Sequence, residues 1–348
     1  MAPLGFITRL PGIALCAAIA LVATGLGRLA PVVGAPVFGI VIGVVVAAFL
    51  HPGARTDAGA GWSGKYVLQA SVVVLGSGLS LAQVLQTGWQ SLPIMLGTLA
   101  VALGGGWLIG RALGLAPDVR TLIAVGTGIC GASAIAATQS VIRAKADDVA
   151  YAIGTIFTFN VVAVLTFPFI GHALGLSDRA FGLWAGTAIN DTSSVVAAAF
   201  SFSPAAGQYG IVVKLTRTLM IIPITIAIAV WRRRQAAKAA AISTTAAAGG
   251  ADAAQQASWS WRSIVPQFLL WFVVVVIVNS LGLVPASWHP ALSTLGTFMI
   301  TVALAGIGLG TRLRVLKQAG YRPLALGAIL WVLVAVASLL LQLFTGNL

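Results

Sequence analysis

The sequence predicts an all-α polytopic membrane protein with about eleven transmembrane helices, and three observations carry that expectation. Hydrophobic residues make up 59% of the 348 residues against 8% charged, and mean hydropathy is +1.01. No water-soluble fold of this size tolerates that balance. Apolar runs of about twenty residues recur along the chain, each long enough to cross the hydrocarbon core. The cations sit in short segments between those runs. They therefore read as a topology signal rather than as a nucleic-acid surface, despite a net charge of +13.

In chain order the expected spans are 12–30, 35–50, 66–85, 92–111, 121–142, 149–173, 181–202, 208–231, 264–284, 294–312 and 323–345. Fifteen of the twenty Lys and Arg then lie on the side of the N-terminus. Three (Arg28, Arg143, Lys145) lie on the other side, and Lys214 and Arg217 fall inside a span. The positive-inside rule places the N-terminus in the cytoplasm and the C-terminus outside, in a multi-pass protein of the inner (cytoplasmic) membrane. Arg9 followed by an apolar run resembles a signal peptide, but the many later spans favour a retained first helix, 1–30. Residues 235–262 are rich in Ala, Gly, Gln and Ser and read as a cytoplasmic linker. Trp259, Trp261 and Arg262 at its end form an interfacial anchor.

An internal repeat shows in Gly76-Ser77-Gly78-Leu79 before Pro93 and Gly306-Ile307-Gly308-Leu309 before Pro323, with a Gly-to-Pro spacing of 17 in both. These are spans three and ten, of opposite direction, as an inverted repeat requires. A five-helix register (spans two to six against seven to eleven) also inverts correctly and accounts for more of the chain. It gives a first repeat over 31–174 and a second over 175–348, interrupted by the linker. That register pairs span five with span ten as the two discontinuous, crossing helices.

Span five holds the stretch around which the chain is organised, Gly126 to Thr138. Gly126, Thr127, Gly128, Cys130 and Gly131 spell a G-x-G-x-x-G pattern, but the apolar flanks lack the βαβ context of a dinucleotide site. In a bilayer the same glycines let a helix break, so that free backbone groups and helix ends near Ser133 can hold a ligand. The competing reading is a small-residue face for close helix packing.

Ionisable groups at membrane depth default to functional candidates. Asp191 lies in the polar run Asn190, Asp191, Thr192, Ser193, Ser194, which argues for an interrupted, water-accessible span seven. Lys214 and Arg217, three residues apart, share one face of span eight; the alternative is that both snorkel to the headgroups. Asn160, Gln139 and Asn279 read as interhelical hydrogen-bonding residues. Cys16 and Cys130 read as packing residues. With no glutamate and no Cys/His cluster, nothing suggests a metal site, a cofactor or an acid–base pair.

Taken together, GTGICGASAIAAT, AINDTSSVVAAA, VVKLTRTLMIIP, VIVNS and ALAGIGLGT resemble the YeiH-type sulfate exporter family over about residues 12 to 345. More distantly the chain is similar to the bile-acid/sodium and sodium/glutamate symporters. The resemblance implies inverted five-helix repeats, a core domain with two crossing discontinuous helices, and elevator-like motion against a panel domain. At Asn190-Asp191 this chain departs from members that carry His followed by an acid, so no histidine proton relay is implied.

The expectation is therefore a secondary transporter, not an enzyme, exporting a small anion such as sulfate or a sulfonate. Gly126, Thr127, Gly128, Cys130, Gly131, Ser133, Asn190, Lys214 and Arg217 are the candidate substrate residues. Asp191, Thr192 and Ser193 are the candidates for a coupling ion, proton or sodium. The partners are the anion, the coupling ion and the bilayer, with a homodimer open. Two other readings stand beside this one: a sodium- or proton-coupled uptake carrier of organic anions, and a membrane-embedded enzyme or anion channel.

Overall fold

The computed structural model describes residues 8–29, 34–50, 53–242, 267–310 and 321–348, and every regular element among them is helical. In order these are α1 (Leu10–Leu29), α2 (Gly34–Leu50), α3 (Ala54–Trp62), a π turn (Ser63–Val67) and α4 (Leu68–Gly76). There follow α5 (Leu81–Ala112), α6 (Pro117–Gly128), α7 (Ala132–Ile142), α8 (Ala146–Ala173), α9 (Asp178–Ala188) and α10 (Thr192–Phe202). The chain continues with α11 (Pro204–Thr218), α12 (Ile221–Ile242), α13 (Gln267–Ser280), α14 (His289–Gly310) and α15 (Tyr321–Thr345). Trp259, Trp261 and Arg262 lie outside the described residues, whereas 235–242 continue α12.

Six stretches are long and apolar enough to cross a membrane unaided: α1, α5, α8, Pro204–Arg232, Ala286–Gly310 and α15. The shorter apolar helices are α2, α7, α10 and α13. Their starts are written in the sequence. Ser80 and Gln83 form a capping box on α5, Ser177 caps α9, and Ser203 caps α11 with Pro204 in its first turn. Gly114 and Gly175, both at positive φ, end α5 and α8; beyond them the N–H groups of Leu115 and Leu176 return to Gly110 and Gly171.

Burial follows from where each helix sits. Every residue from Ala180 to Asn190 and from Ser194 to Ser201 is buried, so α9 and α10 form the centre of the bundle. The outer helices instead present large apolar side chains outward, among them Trp89, Trp271 and Phe344 at 76%, 63% and 83% exposure. That inversion is stable only in lipid. Aromatic stacking fixes the centre: Phe181 on Phe202 and Phe167 on Trp184, each with centroids 4.0 Å apart. Such pairs add roughly 0.5–1.5 kcal/mol beyond their buried area.

Two expectations need correction. Span three begins at Ala54 instead of 66, and the following helix begins at Leu81 instead of 92. The polar first turns of both helices masked their starts, and the Gly76–Gly78 motif lies in the turn between them. Span ten is not discontinuous: α14 runs unbroken from His289 to Gly310. Its glycines serve contact instead, since a methyl at Gly306 would lie 2.5 Å from the Ala60 carbonyl and one at Gly308 2.4 Å from that of Ile40. The second interruption lies in span seven, α9–α10, at the polar run around Asn190. There, as in span five (α6–α7), the chain turns back instead of crossing. The interruption lets the two short helices pack side by side, with Phe202 back on Phe181 and Ile142 in one cluster with Val119.

Candidate functional site

α6 and α9 each stop short, and α7 and α10 each resume after three intervening residues. Each interruption is the tip of a re-entrant hairpin: Val119 and Ile142, at the two ends of α6–α7, share one hydrophobic cluster, and Phe181 stacks on Phe202 at the two ends of α9–α10. The 28-residue α8 crosses between them, so the hairpins enter from opposite faces. The breaks touch. Gly131, at φ 67° and ψ −131°, has its α-carbon so close to the second break that a methyl would lie 3.3 Å from Asp191 Cβ. This backbone region belongs to glycine, which explains why the last glycine of the motif stands there. At the second break the Asn190 N–H donates to Asn160 Oδ1 at 3.1 Å, tying it to α8.

The arriving half helices leave carbonyls without helical partners. α11 supplies the donors. Lys214 Nζ donates to the Ile129 carbonyl at 3.0 Å and to the Ile189 carbonyl at 2.7 Å. One turn on, Arg217 donates to the Thr187 carbonyl through Nη1 and to the Thr127 carbonyl, at 3.4 Å, through Nη2. Lys214 and Arg217 are 0% and 1% exposed, which rules out snorkelling. Two helix C-termini together present roughly one elementary negative charge, so two cations held against them are partly matched by backbone alone. Asp191 makes no ion pair with either cation. Its carboxylate accepts from the Ser194 N–H at 2.8 Å, from Ser194 Oγ at 2.9 Å and from Ser193 Oγ, capping α10.

The departing half helices open on a cavity of about 270 Å³. Cys130, Ser133, Asp191, Thr192 and Ser193 line it from the breaks, and Lys65 and Gln69 line it from across the cavity. The two helix starts differ. α10 has its N-terminus filled by Asp191, whereas α7 begins at Gly131 with no side-chain cap and with Ala132 and Ser133 exposed. Opposite, the π turn adds a residue to the helix. The buried stripe steps by five from Ser63 to Leu68, and Gly64 and Lys65 join Leu68, Gln69 and Val72 on the cavity wall.

The sequence-derived candidates thus divide. Cys130, Ser133, Asp191, Thr192 and Ser193 line the cavity. Gly126, Thr127, Gly128, Asn190, Lys214 and Arg217 are buried behind it and shape the breaks, with Gly131 at the junction. Thr127 Oγ1, Asn190 Oδ1 and Arg217 Nε are buried there without a hydrogen-bond partner. Lys65 and Gln69 were missed because Lys65 reads as the last residue of a loop. Only the continuity of the helix from Ala54 moves it to membrane depth. Of the amides, Asn279 donates to the Leu79 carbonyl at 3.0 Å and meets His289 Nε2 at 3.1 Å, away from the breaks.

The chain matches the family model for conserved hypothetical protein 698 over residues 11–327. It is 42% identical over 346 residues to a UPF0324 membrane protein of Streptococcus pyogenes serotype M3, covering 97% of this chain and 98% of the relative. A UPF0324 membrane protein of Streptococcus agalactiae serotype V is 40% identical over 350 residues, covering 98% and 99%. One from Clostridium tetani is 37% identical over 338 residues, covering 97% of each.

Proposed function

The chain belongs to the family of conserved hypothetical protein 698, whose relatives here are UPF0324 membrane proteins, and from that premise we propose a secondary transporter of a small anion. Sulfate or a sulfonate is the substrate class, and the inner membrane is the site of action. Nine crossings, with the N-terminus cytoplasmic, follow from counting α3–α4 and α11–α12 as one span each beside α1, α2, α5, α8, α13, α14 and α15, with α6–α7 and α9–α10 as re-entrant hairpins. Arg143 and Lys145 then join the cation-rich side. The observation that carries the reading is the pair of adjacent breaks. Their carbonyl ends are held by Lys214 and Arg217, and their amide ends open on one cavity.

Such a cavity suits an oxyanion. The uncapped first turn of α7 offers backbone N–H groups and a positive dipole end, Ser133 adds a hydroxyl, and Lys65 adds a positive charge to the cavity wall. The buried cations act one layer back: by holding the arriving helices they keep α7 and α10 aimed at the cavity. A coupled carrier of organic anions is the second reading, favoured by the oxygen cluster of Asp191, Ser193 and Thr192, which would bind sodium or take up a proton.

Purified protein in liposomes, offered sulfate, sulfonates and dicarboxylates under imposed sodium and proton gradients, tests both readings. Saturable flux of an inorganic oxyanion supports the first; sodium-dependent uptake confined to dicarboxylates supports the second. Flux that rises linearly without saturation would point to a channel.

A further inference from the structure

A second polar cavity, about 180 Å³, lies where α4 ends, lined by Ser77, Gly78, Gln208, His289 and Ser293 together with apolar residues. No carboxylate is among its lining residues. His289 is anchored through Asn279 to the Leu79 carbonyl, and the Gln208 amide reaches the backbone at Gly78, where a methyl would lie 3.2 Å from its Nε2. This cavity and the one at the breaks share two walls. α4 contributes Leu68, Gln69 and Val72 to the first, and Val74 and Leu75 to the second. α11 contributes Leu215 and Thr218 to the first and Gln208 to the second. From Gln69 to Ser77, or from Gln208 to Leu215, the helix rise gives a separation of roughly 10–12 Å.

What fills that interval is apolar. Val72, Leu75, Ile211 and Leu215 are 1%, 2%, 1% and 5% exposed and belong to one hydrophobic cluster spanning α4 and α11. Two polar cavities thus lie along the same pair of helices, parted by buried apolar side chains. Resting on the transporter reading above, we propose that the His289–Gln208 cavity is the far vestibule of the substrate path. Val72, Leu75, Ile211 and Leu215 are its gate. The neutral donors of Gln208, His289 and the two serines suit a weakly held oxyanion on its way in or out. A hydrophobic constriction of this kind blocks ions by excluding water.

Single cysteines at Ser133 and at Ser293, each in a chain whose Cys16 and Cys130 are alanine, report on the two cavities through a membrane-impermeant thiol reagent. Gln69→Cys and Ser77→Cys serve as a second pair if either of the first is not folded. The expected result is labelling of the two reporters from opposite sides of the membrane. Adding Leu75→Ser should raise labelling of Ser133→Cys from the far side roughly tenfold or more, because the dry barrier becomes wet. Labelling of both reporters from the same side, or no change with Leu75→Ser, overturns the route. The readout needs no substrate. Absent anion flux with opposite-sided labelling therefore overturns the sulfate assignment and leaves the route standing, whereas flux with same-sided labelling does the reverse.

Discussion

At both breaks the arriving helix ends in carbonyls held by α11, Ile129 and Thr127 at the first and Ile189 and Thr187 at the second. The departing helices start differently. α10 carries its own anion, the Asp191 carboxylate, bonded to the Ser194 N–H and to two serine hydroxyls. α7 starts at a glycine with no side chain to cap it, and its first residues face the cavity. The same backbone device thus has one self-satisfied copy and one copy left for a ligand. The shared side of the pair is structural, and the unequal side is where recognition is proposed.

The largest effect should come from the shared side. Lys214→Met leaves two buried carbonyls, at Ile129 and Ile189, without their donor. Unsatisfied buried groups cost about 1–3 kcal/mol each, so detergent-solubilised protein should lose about 2–6 kcal/mol and transport should fail. A wild-type melting temperature would mean that the breaks do not depend on α11. Next, Gly131→Ala forces a side chain into a glycine-only backbone region and towards Asp191. It should cost about 1–3 kcal/mol in the same thermal assay and weaken anion transport more than Gly175→Ala, at a glycine far from the breaks.

The unequal side gives smaller effects on stability and selective effects on function. Asp191→Asn keeps a good helix cap, so stability should change by less than about 1 kcal/mol. Losing the built-in negative charge should preserve or strengthen sulfate binding while removing the dependence of flux on the ion gradient. Unaltered coupling in that variant would make Asp191 a cap and nothing more. Lys65→Gln should weaken sulfate binding by about two- to fivefold, the size of one partly exposed charge, without moving the melting temperature.

Much of this comparison can be read from the residues themselves. The glycines at 126, 128 and 131 point to a break in span five, the run from Asn190 to Ser194 points to one in span seven, and the spacing of Lys214 and Arg217 puts both on one face. What stays hidden is nonlocal. Gly306 and Gly308 look like a break but are spacers for α3 and α2, because a glycine cannot announce whether its missing side chain frees a dihedral or admits a neighbour. The role of Lys214 needs three separate segments to meet, and no periodicity encodes that meeting. Lys65 is invisible as a site residue because a π turn within a continuous helix carries no sequence mark that separates it from a loop end.

The central claim is that the open start of α7 receives the anion, and Ser133→Asp tests it most directly. The substitution gives α7 a carboxylate of its own in the first turn and so makes the first break resemble the second. A carboxylate there stabilises the helix by about 0.3–1 kcal/mol, so folding should be kept or improved. Sulfate added to the wild-type protein in detergent should raise its melting temperature in a saturable way, and the same titration of Ser133→Asp should give no shift. An equal sulfate-induced shift in both proteins would contradict the account and place the anion elsewhere.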